Sequence, residues 1–442
     1  MQVFKFGGTS VGSADNIQRV GEILNQTEGA KIVVLSAMSG VTNLLVQIYE
    51  GQVQQNEEQI RNGIEAIRRK HFDAVSQLFK SSQTASKILL AIDDYLDQLS
   101  ELAYGTATPS SYAEIVTIGE SMSTAMISEF FNQQGINNVL LNAKDFMFVG
   151  SVENPDIAEV GKRLQPILDK NPSEIYITQG FVCRNEMGTI STLKRGGSDF
   201  TATIIGAAIN AAEVQIWTDI DGLHNNDPRY VDQTRPIDHL TYNEAAELAY
   251  FGAKILHPQT VAPVIDRDIP VWLKNTFDPQ AHGTQISNEY HNRGLKAISA
   301  KDGITAIKIR SNRMLGAHGF LRTIFEVFDR HETSIDMITT SEVAISLTID
   351  DDSQLDAIVT ELSVIAEITV EKDHSIICIV GENLIEDQTS YKAFGLLNNL
   401  PVRMISYGGS NNNISLLVPT SEKVNALRYL NQQLFQLSEA LV

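Results

Sequence analysis

The stretch KFGGTSVG, Lys5 to Gly12, follows the short alternating run QVFKF that starts at Gln2. A Gly-Gly turn placed directly after a strand can hold an anion. Glycines let the backbone approach phosphate oxygens without a Cβ clash. The N–H groups of Gly7, Gly8, Thr9 and Ser10 would form such a nest, and Lys5 would send its ammonium into the same space. This is not a Walker A loop, G-x-x-x-x-G-K-[ST], because the lysine precedes the glycines. Taken alone, a tight turn with a surface lysine explains the stretch equally well. Its companions decide.

Working outward, SADNIQRVGEILNQ (13–26) predicts a helix capped by Ser13 or Asp15. KIVVLSAMSGVTN (31–43) predicts a buried strand that runs into a small-residue turn. Strand, helix, strand in that order is a βαβ unit with a parallel sheet. Residues 43–104 are rich in Gln, Glu, Lys and Leu at helical spacing and read as a helical insertion. SMSTAMISEFFNQQG (121–135) predicts a further helix. VLLNA (139–143), EIYITQGFVCRN (174–185) and EVQIWTDIDG (213–222) predict strands. TATIIGAAINAA (201–212) predicts a small-residue helix suited to close packing on a sheet.

The C-terminal part repeats itself. Met337-Ile338-Thr339 aligns with Met404-Ile405-Ser406, and Ile345-Ser346-Leu347 with Ile414-Ser415-Leu416. A helical pattern precedes and follows each pair, so two βαββαβ units are expected side by side.

Bulk properties narrow the function. With 442 residues the chain is too long for one core. A formal net charge of −20 opposes nucleic-acid and anionic-membrane partners but not small anionic substrates, which respond to local cations. Cys183 and Cys378, far apart and without ligand spacing, suggest a reducing compartment and no zinc site. No signal pattern opens the chain and no run of 18 apolar residues occurs, so no secreted or membrane-spanning form is expected.

Three further stretches carry chemistry. STLKRGGSDFTA (191–202) places a second Gly-Gly after Lys194 and Arg195 and before Ser198 and Asp199, at a helix start. An aspartate there is as readily a cap. WTDIDGLHNNDPR (217–229) carries Asp219, Asp221 and Asp227 without EF-hand spacing. Asx turns explain most of these residues, and a nucleotide loop beyond a strand's carboxyl end is the functional alternative. In TIGESMSTA (117–125), Glu120 opens a helix and would favour its dipole. Thr42 suits a turn or a cap, and Lys254 a surface position.

Together KFGGTSV, VLSAMSGVTN, IGESMS, TLKRGGSDFTA, WTDIDGLHNNDPR, FGAKILHP and MITTSEVAISL closely resemble, in order, the aspartate kinases of the amino-acid kinase family. The resemblance covers nearly the whole chain. It implies an α/β amino-acid-kinase fold over residues 1–295, a mainly parallel sheet sandwiched by helices, with the helical insertion at about 43–104. It also implies a regulatory region at 300–442 built of two interleaved, ferredoxin-like ACT domains. The chain looks monofunctional, without a fused homoserine dehydrogenase.

The implied reaction moves the γ-phosphoryl of ATP, carried with Mg²⁺, to the β-carboxylate of L-aspartate and yields 4-phospho-L-aspartate. No resident metal is implied. A carboxylate with a pKa of ~3.9 needs no general base, so catalysis reduces to positioning and charge neutralisation. The resemblance implies that Lys5 neutralises the phosphoryl group and that Asp199 holds Lys5. Arg195 would clamp an aspartate carboxylate, Glu120 would take the substrate ammonium and Thr42 would hydrogen-bond the substrate, beside Gly196, Gly197 and Ser198. Lys5, Phe6, Gly7, Gly8, Thr218, Asp219, His224, Arg229, Lys254 and Ile255 fall on the ATP side.

MLGAHGFLRTIFEVF and SIDMITTSE are most similar to the lysine-sensitive type. They imply an L-lysine site at Met314, Ala317, Phe320, Leu321, Ser334, Ile335, Asp336, Ser341 and Glu342, with threonine as the alternative effector. A cytoplasmic homo-oligomer, joined through the ACT units and placed at the head of lysine, threonine and methionine synthesis, is the corresponding expectation. Three positions depart from the family pattern. Lys194 replaces a usual glycine, His224 a common tyrosine, and Gly316 a histidine of the lysine-sensitive pattern. Rival readings are a kinase of another small acid, such as glutamate or carbamate, and an amino-acid sensor without activity.

Overall fold

The computed structural model describes residues 1–108, 110–194, 196–252, 258–290, 294–311, 318–386 and 388–436. The chain forms two units. One comprises Met1–Leu223, Asp238–Tyr242 and Leu256–Glu289; the other comprises His224–Ile237, Asn243–Ile255 and Tyr290–Val442.

The first unit begins β1 (Gln2–Phe6), α1 (Ala14–Gln26), β2 (Lys31–Leu35). Ser13 caps α1, its Oγ accepting from Asn16 N at 3.3 Å. Three long helices follow, α2 (Val41–Gln54), α3 (Glu57–Leu78) and α4 (Ser82–Tyr104). The chain continues through α5 (Ser111–Val116), α6 (Ile118–Gln133), β3 (Val139–Leu140), α7 (Ala143–Phe146), β4 (Phe148–Gly150) and α8 (Ile157–Lys170). Then come β5 (Ile175–Gln179), β6 (Val182–Asn185), β7 (Ile190–Thr192), α9 (Gly197–Ala208), β8 (Val214–Thr218) and β9 (His239–Thr241). Past α10 (Tyr242–Tyr250) lie α11 (Pro258–Ile265), β10 (Val271–Asn275) and β11 (Thr284–Ser287).

Among the described residues, eight of these strands make one sheet in the order β3-β5-β2-β1-β8-β10-β11-β9. Every pairing from β3 to β10 is parallel, and β10 meets β11 antiparallel. All five residues of β2 and all five of β5 are buried, as expected of strands covered on both faces. The small residues of α9 have a packing reason. A Cβ on Gly206 would sit 2.6 Å from Val214 Cγ2, so only glycine allows this helix to lie so close to β8. β4, β6 and β7 form a separate three-stranded sheet. No helix among the described residues is long and apolar enough to cross a membrane.

In the second unit, a single sheet has the order β13-β14-β12-β15-β17-β16. Its strands are β12 (Gly294–Arg310), β13 (Ile338–Thr340), β14 (Ala344–Ile349), β15 (Glu367–Glu382), β16 (Met404–Tyr407) and β17 (Asn413–Pro419). The helices are α12 (Phe320–Arg330), α13 (Leu355–Leu362), α14 (Gln388–Leu396) and α15 (Lys423–Asn431). The two repeats meet along β12 and β15, which run antiparallel and break register between Lys301 and Ile304, where Gly303 takes φ +79°. The later half of β12 joins β13, β14 and the early half of β15, under a core of Ile307, Ile324, Phe328, Leu347 and Ile358. The early half of β12 joins the later half of β15, β17 and β16, over Ile377, Ile379, Ile414, Leu416 and Leu427. The second unit resumes at Tyr290, and β12, from Gly294, lies wholly within it, its two halves serving the two cores of that unit.

Candidate active site

The parallel strands β1, β2 and β5 of the first unit point their carboxyl ends toward one cavity of about 720 Å³. It lies where the crevice rule for open α/β sheets expects a ligand. Lys5 and Gly8 reach it from the end of β1, Ser36 to Gly40 with Thr42 and Asn43 from beyond β2, and Phe181 from the end of β5. Thr192, Lys194 and Gly196 to Asp199 enter from the turn that opens α9. The two Gly-Gly turns, nearly 190 positions apart in sequence, thus line the same cavity.

Lys5 Nζ lies 2.6 Å from Asp199 Oδ1, and both side chains are largely buried. Asp199 stands in the first turn of α9, whose N-cap Gly196 is left-handed at φ 71°. A Cβ on Gly7 would come 3.3 Å from Lys5 Nζ, so this glycine leaves room around the ammonium. A Cβ on Gly8 would meet Ala37 O at 3.1 Å, and Ser39 N already donates to Gly8 O at 3.1 Å. The first turn is thereby stitched to the β2 loop.

Glu120, in the first turn of α6, is buried within the cavity wall. Its Oε1 accepts from Ala37 N at 3.3 Å, while Oε2 has no hydrogen-bond partner among the described residues. Burial pushes its carboxyl up to about 8, against the smaller opposing pull of the Ala37 N–H. A buried carboxyl without a cation is a ready partner for a ligand ammonium. Thr42, in the first turn of α2, lines the same cavity.

Two lining residues that are not glycine hold left-handed backbone, Phe181 at φ 69° and Lys194 at φ 56°. Strain of this kind, roughly 1–3 kcal/mol each, persists where the surroundings over-determine it. For Phe181 these surroundings are visible: its N–H donates to Thr201 Oγ1 at 2.9 Å and its carbonyl accepts from Leu193 N at 3.0 Å. Lys194 lies at the position where the resemblance has glycine, and its left-handed φ is the physical reason for glycine there. Its side chain is 69% exposed and pairs with Glu153 across the rim, Nζ to Oε1 2.5 Å.

Residues not singled out in the sequence also line the cavity, including Ser36 and Tyr112. Ser36 Oγ donates to Ser198 Oγ at 3.0 Å, joining the β2 loop to the second Gly-Gly turn. Its signal was its place just past a buried strand.

The remaining sequence-predicted positions fall in several places. Arg195, Lys254, Ile255, Met314, Ala317 and Gly316 lie outside the described residues. Phe6 is buried at the end of β1, and Thr218 Oγ1 donates to Asp219 Oδ1 at 3.1 Å beyond β8. His224 and Arg229 belong to the second unit. There His224 Nδ1 is 2.8 Å from Thr234 Oγ1, and Arg229 clasps Asp227, Nη2 to Oδ2 2.6 Å. Phe320 and Leu321 open α12; Ser334, Ile335 and Asp336 link α12 to β13; exposed Ser341 and Glu342 form the β13–β14 turn.

Comparison with known proteins matches this layout. Residues 1–275 fit the amino acid kinase family, and residues 307–360 and 377–434 fit an ACT domain. Lysine-sensitive aspartokinase 3 of Escherichia coli (strain K12) is 34% identical, over 98% of this chain and 99% of that protein. The crystal structure of E. coli aspartokinase III with aspartate and ADP (R-state) superposes with a TM-score of 0.84 at 33% identity, covering 98% of this chain and 100% of that one. The complex of the same enzyme with lysine and aspartate (T-state) gives 0.82 at 34% identity, covering 98% and 99%. A kinase-type sheet with its cavity at the strand ends and, later in the chain, a double ACT repeat, matched end to end, make this chain a member of the amino acid kinase family, within the aspartokinases.

Proposed function

We propose that the chain transfers the γ-phosphoryl of ATP to the β-carboxylate of L-aspartate, giving 4-phospho-L-aspartate and ADP. The observation that carries this reading is the cavity holding the Lys5–Asp199 pair, two Gly-Gly turns and the buried Glu120 carboxyl, whose Oε2 has no partner among the described residues. The Lys5 ammonium and the backbone N–H of Gly8 neutralise the transferring phosphoryl group; the Gly7 N–H is instead donated to Trp217 O at 3.4 Å and holds the turn against β8. Asp199 fixes the ammonium. Glu120 takes the substrate ammonium, while Thr42, Arg195 and the Gly196–Ser198 turn hold the rest of the amino acid. The nucleotide, with its Mg²⁺, is the second substrate and uses Phe6, Thr218 and Asp219 at the ends of β1 and β8 of the first unit. An ionised carboxylate attacks without a base, and no histidine or cysteine stands among the described residues lining the cavity. Catalysis is then positioning and charge neutralisation.

The strand order of the second unit supports two interleaved ACT domains, the early half of β12 completing the repeat that β15 begins. Their effector is L-lysine, received around Asp336 and Glu342, with threonine as the alternative. Homo-oligomerisation through these domains, a cytoplasmic location and a first-step role in lysine, threonine and methionine synthesis complete the proposal. Incubation with ATP, Mg²⁺ and hydroxylamine tests the reaction. Aspartyl hydroxamate should form from L-aspartate and no hydroxamate from L-glutamate. Equal product from both acids, or none from aspartate, would reject it.

A further inference from the structure

Asp336 is a carboxylate with two occupants already. Its Oδ1 accepts from Lys301 Nζ at 2.9 Å and from the Tyr250 hydroxyl at 2.7 Å. Its side chain is 0% exposed, and Oδ2 is buried without a hydrogen-bond partner among the described residues. Lys301 also reaches Asp350 Oδ2 at 2.7 Å, and its ammonium sits 4.3 Å from the centre of the Tyr250 ring. All four residues belong to the second unit. Tyr250 ends α10, which continues directly from β9 of the eight-stranded sheet.

We propose that Tyr250 and Lys301 make Asp336 a relay, in which an effector's primary ammonium reaches the carboxylate only by displacing one of them and so frees the end of α10. The inference rests on the reading of Asp336 as part of an amino-acid effector site. One oxygen of Asp336 is saturated by two donors and the other is sealed from solvent, so a new cation cannot simply be added. A buried unpaired carboxylate oxygen is costly, which gives an arriving ammonium a strong partner. The two occupants are unequal. Lys301 keeps Asp350 when it leaves Asp336. Tyr250 loses its acceptor, and at 44% exposure its hydroxyl has water to turn to. Burial, reinforced by Asp336, also pushes the Tyr250 phenol up, so it remains a donor across the physiological range. A ligand shifts an equilibrium only by binding its states differently, and the Tyr250–Asp336 contact is such a difference.

The test uses full-length wild type and Tyr250→Phe. L-lysine binding is measured by calorimetry, and inhibition of aspartate-dependent ADP release is measured at saturating lysine. The variant should bind lysine as tightly as wild type or up to about tenfold tighter, because one competing donor is gone. Its maximal inhibition should fall at least severalfold, because α10 is already released. Wild-type inhibition in the variant overturns the relay. So does loss of lysine binding, which would make Tyr250 an effector contact instead. A wild type that neither binds nor responds to lysine or threonine overturns the effector reading itself, and the relay with it.

Discussion

A buried carboxyl with no cation beside it keeps its proton. Glu120, pushed up to about 8, is largely neutral at pH 7 in the free protein. If it receives the substrate ammonium it must ionise, so aspartate binding at pH 7 should release close to one proton. Calorimetry in buffers of different ionisation enthalpy measures this directly. The dissociation constant for aspartate should rise by up to tenfold per unit as pH falls below about 8. Glu120→Gln should abolish the proton release, and a wild type that releases none would remove Glu120 from the substrate site. Lys194 makes a contrasting case. Its ion pair with Glu153 is exposed on both sides, so it adds little. Lys194→Gly should relieve the left-handed backbone and leave the aspartate KM within about twofold; a larger change would give the ammonium a role in binding. The identity of residue 194 did not reveal its φ, because a lysine carries no conformational signature. The family pattern's glycine there was the only hint. The partners of Asp336 were equally hidden, since Lys301 and Tyr250 lie 35 and 86 positions away in sequence.

Among the elements, α3 carries its own titration. His71 is fully buried, its Nδ1 2.9 Å from Ile67 O and its Nε2 without a hydrogen-bond partner among the described residues. Burial pulls it down from 6.5 to about 4, only partly opposed by the Ile67 carbonyl. The unfolded chain therefore binds more protons between those values. Stability is complete above about 6.5, falls as pH drops through that window, and stops falling below about 4. The loss from pH 7.5 to 5.5 should be roughly 1.3 kcal/mol, measurable as a shift in urea midpoint. His71→Leu should flatten the difference attributable to this site; an unchanged pH dependence would contradict it. The elements themselves were unequally readable. The apolar run Ile32–Leu35 in β2 and the small-residue helix α9 follow directly from burial on both faces and close packing. The long strands β12 and β15 did not stand out. Each is split between two cores, so neither keeps one inward face along its length, and the partner of each half is far away in sequence.

At the scale of the whole molecule, the paired repeat in residues 334–349 and 401–418 identified the regulatory half, and the Gly-rich turns after β1 and before α9 identified the kinase half. What sequence order concealed is that the second unit takes back His224–Ile237 and Asn243–Ile255 from the middle of the kinase stretch. Val231 packs in one core with Ile298, Ile377 and Leu427, and Asn226 Nδ2 donates to Leu427 O at 3.3 Å. The His224–Ile237 segment is polar and turn-rich, and only the tertiary core explains its apolar member Val231. In the proposed reaction, the cavity at the ends of β1 and β2 moves a phosphoryl group to aspartate with Lys5 as its charge partner. Aspartate-dependent ADP release, followed in a coupled assay for wild type and Lys5→Ala at saturating substrates, tests it most directly. Wild type should release ADP with L-aspartate and not with L-glutamate, and the variant, its circular dichroism unchanged, should have a kcat lower by about 10²–10³. ADP release that ignores aspartate, or a Lys5→Ala kcat near that of wild type, would contradict it.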